Sequence, residues 1–206
     1  GGSPLSVGIY QDGGLEKVTR YEYDKADRLL TVTNGVIQIA RYSYDANGNR
    51  KSQTLGNGVE TVYEYNRVNA LTSLVNKKGA QVLSSYAYTY YLDGNQRTKQ
   101  DHSGRLTSYT YDGLGRLLRE AERGAADALT KGYSYDAAGN RQTMTVSGAE
   151  SYTVSYGYDR SNRLLQSSKT EQGVEALTEY YYDGHGNQTA VLVSSLTSAG
   201  SDPAKT

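Results

Sequence analysis

The sequence contains no cysteine, tryptophan or phenylalanine, and only one methionine (Met144) and two prolines in 206 residues. Without cysteine there are no disulfides, thiolate nucleophiles or thiolate metal ligands, and the redox compartment is left open. Its 22 Lys and Arg balance 22 Asp and Glu. Zero net charge argues against a dedicated nucleic-acid binder, which needs excess cations on one face to meet phosphates. No apolar run approaches the roughly 18 residues needed to span a bilayer. No signal-peptide pattern is present, and Gly1-Gly2-Ser3 resembles a cloning remnant. The two histidines, His102 and His185, are too few for a metal site of about three or four ligands.

Tyrosine takes the place of the missing apolar mass. There are 21 of them, each a large ring with a polar tip that needs a partner when buried. Most fall in a phrase that occurs eight times, Tyr-x-Tyr followed by Asp in six copies and by Asn or Tyr in two. It reads Tyr21/Tyr23-Asp24, Tyr42/Tyr44-Asp45, Tyr63/Tyr65-Asn66 and Tyr88/Tyr90-Tyr91, then Tyr109/Tyr111-Asp112, Tyr133/Tyr135-Asp136, Tyr156/Tyr158-Asp159 and Tyr180/Tyr182-Asp183. Successive second tyrosines are 21, 21, 25, 21, 24, 23 and 24 residues apart. A period of this length signals a repeat architecture. Two tyrosines flanking a polar or small residue share one face of an extended segment, so each phrase predicts a β-strand. One helical turn is expected, over Arg119 to Ala128.

The turn after each phrase has its own chemistry. The fourth residue past the second tyrosine is Asp27, Gly48, Asn69, Gly94, Gly115, Gly139, Asn162 or Gly186. These residue types tolerate positive φ, which predicts a hairpin whose type I turn ends in a left-handed residue. The preceding Asp24, Asp45, Asp112, Asp136, Asp159 and Asp183 can accept backbone N–H bonds within such a turn, and this makes them caps rather than catalytic acids. The next residue alternates: Arg28, Ala70, Arg116 and Arg163 in odd repeats, Asn49, Asn95, Asn140 and Asn187 in even ones. The unit is therefore a pair of hairpins. Each arginine is expected to fork onto the turn aspartate and stack on a neighbouring tyrosine, with the tyrosines stacked in a ladder along the sheet. Second turns at Asn34-Gly35, Gly56-Asn57-Gly58, Lys77-Lys78-Gly79, Ser147-Gly148 and Gln172-Gly173 bring the total to on the order of sixteen strands. Asp45-Ala-Asn47-Gly48-Asn49 opens like a calcium loop, but such a loop needs its glycine sixth and a bidentate glutamate twelfth.

Tyr44-Asp45-Ala-Asn-Gly48-Asn49-Arg50, Tyr111-Asp112-Gly-Leu-Gly115-Arg116-Leu117 and Tyr135-Asp136-Ala-Ala-Gly139-Asn140-Arg141 closely resemble YD repeats, also called Rhs repeats. The resemblance runs from about residue 15 to 193, as eight repeats in four pairs, between a leader (1–14) and a Ser/Thr-rich flexible tail (194–206). This family includes bacterial Rhs toxins, cocoon components of insecticidal toxin complexes, wall-associated bacterial toxins and animal teneurins. The resemblance implies an all-β fold: tandem hairpins in a curved, spiralling strip, an open segment of a shell that encloses a toxin in bacterial members. It also implies a secreted or cell-surface setting. The chain departs from the pattern at Asn66, Ala70 and Tyr91. Asp202-Pro203-Ala204-Lys205 does not match the Asp-Pro-x-Gly-Leu-like self-cleavage signature of the segment that closes such shells, and a fragment or short relative is expected.

The function expected from these readings is a non-enzymatic scaffold that needs no cofactor or metal. Its partners would be a polypeptide cargo, neighbouring repeats, or further copies pairing along open sheet edges. The alternative is a surface adhesion module that binds glycan or protein through its tyrosine face. A glycosidase would need two positioned carboxylates in a cleft, and it ranks last because the aspartates are better read as caps.

Overall fold

The computed structural model describes residues 5–11 and 14–196, and side chains for residues 18–194. Within it the chain forms two compact units, divided at Gly104/Arg105. Among the described residues there are seventeen strands and no helix; no helix is therefore long and apolar enough to cross a membrane.

The first unit contains β1 (Leu5–Gln11), β2 (Gly14–Tyr23), β3 (Leu29–Asn34), β4 (Ile37–Tyr44), β5 (Arg50–Leu55), β6 (Val59–Tyr65), β7 (Leu71–Lys78), β8 (Gln81–Tyr90) and β9 (Gln96–Asp101). The second contains β10 (Leu106–Tyr111), β11 (Leu117–Arg123), β12 (Leu129–Tyr135), β13 (Arg141–Gly148), β14 (Tyr152–Tyr158), β15 (Leu164–Glu171), β16 (Val174–Tyr182) and β17 (Gln188–Leu196). In each unit consecutive strands pair antiparallel, an uninterrupted meander of hairpins. The all-β hairpin architecture expected from the repeat is the one observed.

Three expectations need correction. Residues 119–123, read as the start of a helical turn, lie in β11, and 124–128 form the bend and turn that follow. Helix-forming alanines and glutamates are overridden there because Arg119, Glu120 and Ala121 pair with strands on both sides. Part of the supposed leader is β1, which pairs with β2 from Leu5↔Tyr21 onward. The supposed tail begins inside β17, which runs to Leu196; residues 197–206 lie outside the described part.

The sheets have almost no conventional core. Among the described residues, the buried side chains are Ala40 in the first unit and Ala121, Val146 and Thr107 in the second. The phrase tyrosines are half-buried, while the intervening Glu22, Glu64 and Thr110 are exposed, as the strand alternation requires. The middle position bonds across its hairpin: Ser43 with Ser52, Thr89 with Thr98 and Ser134 with Thr143, each at 2.6 Å.

Every Tyr-Asp hairpin also has a β-bulge invisible in the sequence. Tyr23 faces Leu29 while Glu22 faces Thr31, so Leu30 is the extra residue. By the same register, Lys51, Thr72, Arg97, Leu118, Gln142, Leu165 and Thr189 are extra in the other seven. A bulge bends its strand and increases the local twist. Each hairpin is thus built twisted just past its turn.

Candidate functional site

The repeated Tyr-Asp turn is the feature on which chemistry converges. All eight turns close alike: the N–H of the residue after the second tyrosine donates to the carbonyl four residues on, as Asp24 does to Arg28 at 2.8 Å. The N–H of the left-handed residue donates back, as Asp27 does to Asp24 at 3.1 Å. Positive φ occurs at all eight of these positions. It is 57°, 61° and 60° at Asp27, Asn69 and Asn162, but 86–90° at Gly48, Gly94, Gly139 and Gly186. The smaller angles suit Asn or Asp; the larger ones lie further out, where glycine has no Cβ to strain.

The turn carboxylates are all engaged. In Arg-type turns, Oδ1 of Asp24, Asp112 and Asp159 accepts the N–H of Arg28, Arg116 and Arg163 at 2.9–3.0 Å. Their Oδ2 atoms accept from the arginine Nε at 2.6–2.7 Å. The contact is a single Nε bond rather than the expected fork, because the backbone occupies the other oxygen. In Asn-type turns, Asp45, Asp136 and Asp183 accept both the backbone and the side-chain N–H of Asn49, Asn140 and Asn187. In the third repeat Asn66 Oδ1 caps the turn without charge, accepting from Val68 and Ala70.

These bonds hold the carboxyls below the ordinary Asp range. The backbone N–H of the arginine is the main cause at Asp24, Asp112 and Asp159, and the asparagine amide at Asp45, Asp136 and Asp183. A depressed folded pKa stabilises the fold above the unfolded value, near about 3.9, and the contribution is lost as pH falls through the folded values. We expect stability to be flat from neutral pH to about 5 and to fall below about 4. Changing the six aspartates to asparagine should flatten that acid limb in urea melts at stepped pH.

Side chains at the turn also tie each hairpin to the next, in two alternating ways. From an odd to an even hairpin, arginine reaches forward: Arg28, Arg116 and Arg163 lie over the rings of Tyr44, Tyr135 and Tyr182 at 4.5, 4.6 and 5.1 Å. From an even to an odd hairpin, an amide reaches forward: Asn49 Nδ2 donates to Asn69 Oδ1 at 2.8 Å, and Asn140 Nδ2 to Asn162 Oδ1 at 2.9 Å. The second tyrosine reaches back. The hydroxyls of Tyr44, Tyr65, Tyr90, Tyr135 and Tyr182 donate to the carbonyls of Leu29, Arg50, Leu71, Leu117 and Leu164 at 2.6–3.0 Å. Each acceptor is the first strand residue after the previous turn.

The first tyrosines have their own cations, with Arg50 over Tyr42 and Arg141 over Tyr133, both at 5.0 Å. Tyr86 and Tyr88 stack within one strand, with centroids 6.4 Å apart, and not between strands as the expected ladder requires. At most phrases, however, tyrosine meets a guanidinium or a carbonyl rather than another ring. Burial pushes the Tyr88, Tyr90, Tyr109 and Tyr133 phenols up. Gly115 (φ 76°), Tyr63, Tyr109, Tyr111, Tyr156, Tyr158 and Tyr180 occupy the matching positions of their repeats.

His102 and His185 are both exposed, in turns. The described residues hold no group of three or more His, Asp or Glu that could bind a metal. At the calcium-like Asp45 loop, both carboxylate oxygens are taken by Asn49, and Asn47 Nδ2 donates to Asn69. Sequence reasoning missed the forward Asn–Asn bonds and the backward hydroxyl bonds. The only signal for them was the odd/even alternation itself.

Comparison with known proteins agrees with this geometry. Crystal structures of TcdB2-TccC3 without its hypervariable C-terminal region and of TcdB2-TccC3-Cdc42 share the fold. Their TM-scores are 0.67 and 0.60 at 17% and 16% identity, covering 91% of this chain but 11% and 13% of those. The tRNA3(Ser)-specific nuclease WapA of Bacillus spizizenii is 28% identical over 153 residues, 73% of this chain. The tRNA nuclease WapA of Bacillus subtilis strain 168 is 28% identical over 135 residues, 65% of this chain. The chain spans 6% of the length of either nuclease. A sequence model of the teneurin YD-shell matches residues 7–146, and on that match the chain belongs to the teneurin YD-shell family.

Proposed function

We propose that this chain is a non-enzymatic segment of a YD-repeat shell, secreted or displayed at a cell surface, that helps contain a polypeptide cargo such as a toxin. One observation carries the reading: the polar groups of the repeated phrase are spent on the protein itself. The carboxylates cap turns, the arginines and amides hold the next hairpin, and the hydroxyls hold the previous one. A wall of this kind works by steric exclusion and needs rigidity rather than a reactive group. The nuclease activity in the names of the two bacterial relatives belongs to much longer proteins, of which the match covers 6%. The partners of the segment are the enclosed chain and adjoining YD repeats.

The test is limited proteolysis of the parent protein with and without residues 15–193. Containment predicts that a cargo domain resists protease in the intact parent and is digested at least about tenfold faster in the deletion variant, the gain expected when an enclosed chain becomes open to cleavage. Equal digestion rates sink the reading. So does glycan-array binding by the isolated chain that is lost when exposed tyrosines such as Tyr181 are replaced.

A further inference from the structure

The odd-to-even contact forms a slot for an arginine, and the same slot recurs in the third repeat with no arginine in it. In three cases the guanidinium lies between the second tyrosine of the next hairpin and that hairpin's left-handed glycine. A Cβ on Gly48, Gly139 or Gly186 would stand 3.6, 3.9 or 3.7 Å from Nη1 of Arg28, Arg116 or Arg163. The fourth arginine position holds Ala70. Among the described residues no cation lies over the Tyr90 ring, although Arg97 lies over the neighbouring Tyr91 at 5.7 Å, and a Cβ on Gly94 would meet nothing within 4 Å.

The walls are nevertheless in place. Tyr90 donates its hydroxyl to Leu71 O at 2.6 Å, as Tyr135 does to Leu117, so the ring is held in the sibling pose. What remains is a hollow of about 420 Å³ lined by Ala70, Tyr90 and Gly94. Val68 and Leu92 stand at its rim, 80% and 110% exposed.

We propose that this hollow docks an arginine side chain from a partner polypeptide, with its guanidinium over Tyr90 and against Gly94. The chain itself supplies the template, because three sibling slots with the matching tyrosine and glycine hold a guanidinium. The apolar rim suits the methylene stem of arginine, which covers apolar surface while its head remains polar. Asn66 stands where the siblings have aspartate, and its side-chain oxygen accepts from Val68 and Ala70, so the ring face and the apolar rim rather than a carboxylate would hold the guanidinium. A planar guanidinium stacks on a ring face as a compact ammonium does not, so arginine is preferred over lysine. The inference does not depend on containment, since a surface module would use the slot equally.

The test is an NMR titration of the intact chain with blocked Gly-Arg-Gly, using Gly-Lys-Gly and Gly-Leu-Gly for comparison. The arginine peptide should shift the Tyr90 and Gly94 signals and bind roughly three- to tenfold more tightly than either comparison peptide. Ala70→Arg fills the slot from within and should abolish the response while raising the melting temperature. Ala70→Leu blocks the slot without a cation and should abolish the response too. Absence of shifts at Tyr90 and Gly94, an equal response to the leucine peptide, or binding that survives in both variants would overturn the proposal.

Discussion

Gly148→Ala is expected to destabilise the protein by about 3 kcal/mol, the upper part of the range for strained or overpacked sites. Gly148 ends β13 and pairs with Leu129. Its φ is 129°, a conformation that side chains rarely adopt, and a Cβ there would fall on Ala128 O with Ala128 C and Leu129 Cα at 3.3 Å. All three are backbone atoms of the facing segment, so nothing flexible can yield. Gly56 meets Gln38 O in the same way at the turn after β5, so Gly56→Ala should behave alike. The internal control is Gly113→Ala: Gly113 has no positive φ and open space around its Cβ position, and the change should be neutral or slightly stabilising. Urea denaturation of the three variants checks the ranking. A harmless Gly148→Ala would mean the second turns are not the close approach described.

Tyr135→Ala should cost about 2–3 kcal/mol, less than removal of a fully buried aromatic because the ring is half-exposed. Three contacts are lost at once: the ring against its hairpin, the hydroxyl on Leu117 O at 2.8 Å, and the surface beneath the Arg116 guanidinium. Tyr135→Phe removes only the hydroxyl and leaves one carbonyl without its partner, at about 1 kcal/mol. A Phe variant as unstable as the Ala variant would place the tyrosine's role in its hydroxyl alone.

Much of this architecture is written in residue order because its determinants are local. Tyr21 and Tyr23 flank exposed Glu22, which is enough to place a strand. Asn69 or Gly139 four residues past a second tyrosine is enough to place a left-handed turn residue. Arg28, Arg116 and Arg163 were legible as stacking arginines because their types recur at one turn position.

What was not legible depends on a partner strand. The extra residues Leu30, Lys51 and Leu118 look like ordinary strand residues, because a bulge is a property of register between two strands. The Asn140–Asn162 bond joins side chains 22 residues apart, and no local pattern reveals it. Arg119–Ala128 misled because its alanines and glutamates favour a helix in isolation, a preference that pairing on both edges of β11 overrides. Part of the leader proved to be β1 because Leu5–Gln11 lacks the phrase that marks the other strands.

The central claim is that consecutive hairpins are held by side chains at the Tyr-Asp turn, in place of a buried core. A double-mutant cycle on Arg116 and Tyr135, read from urea unfolding of Arg116→Ala, Tyr135→Ala and the double variant, tests it most directly. The account predicts a favourable coupling of about 1 kcal/mol, as for a cation stacked on a ring across two hairpins. Additive losses, with coupling within about 0.3 kcal/mol of zero, would contradict it.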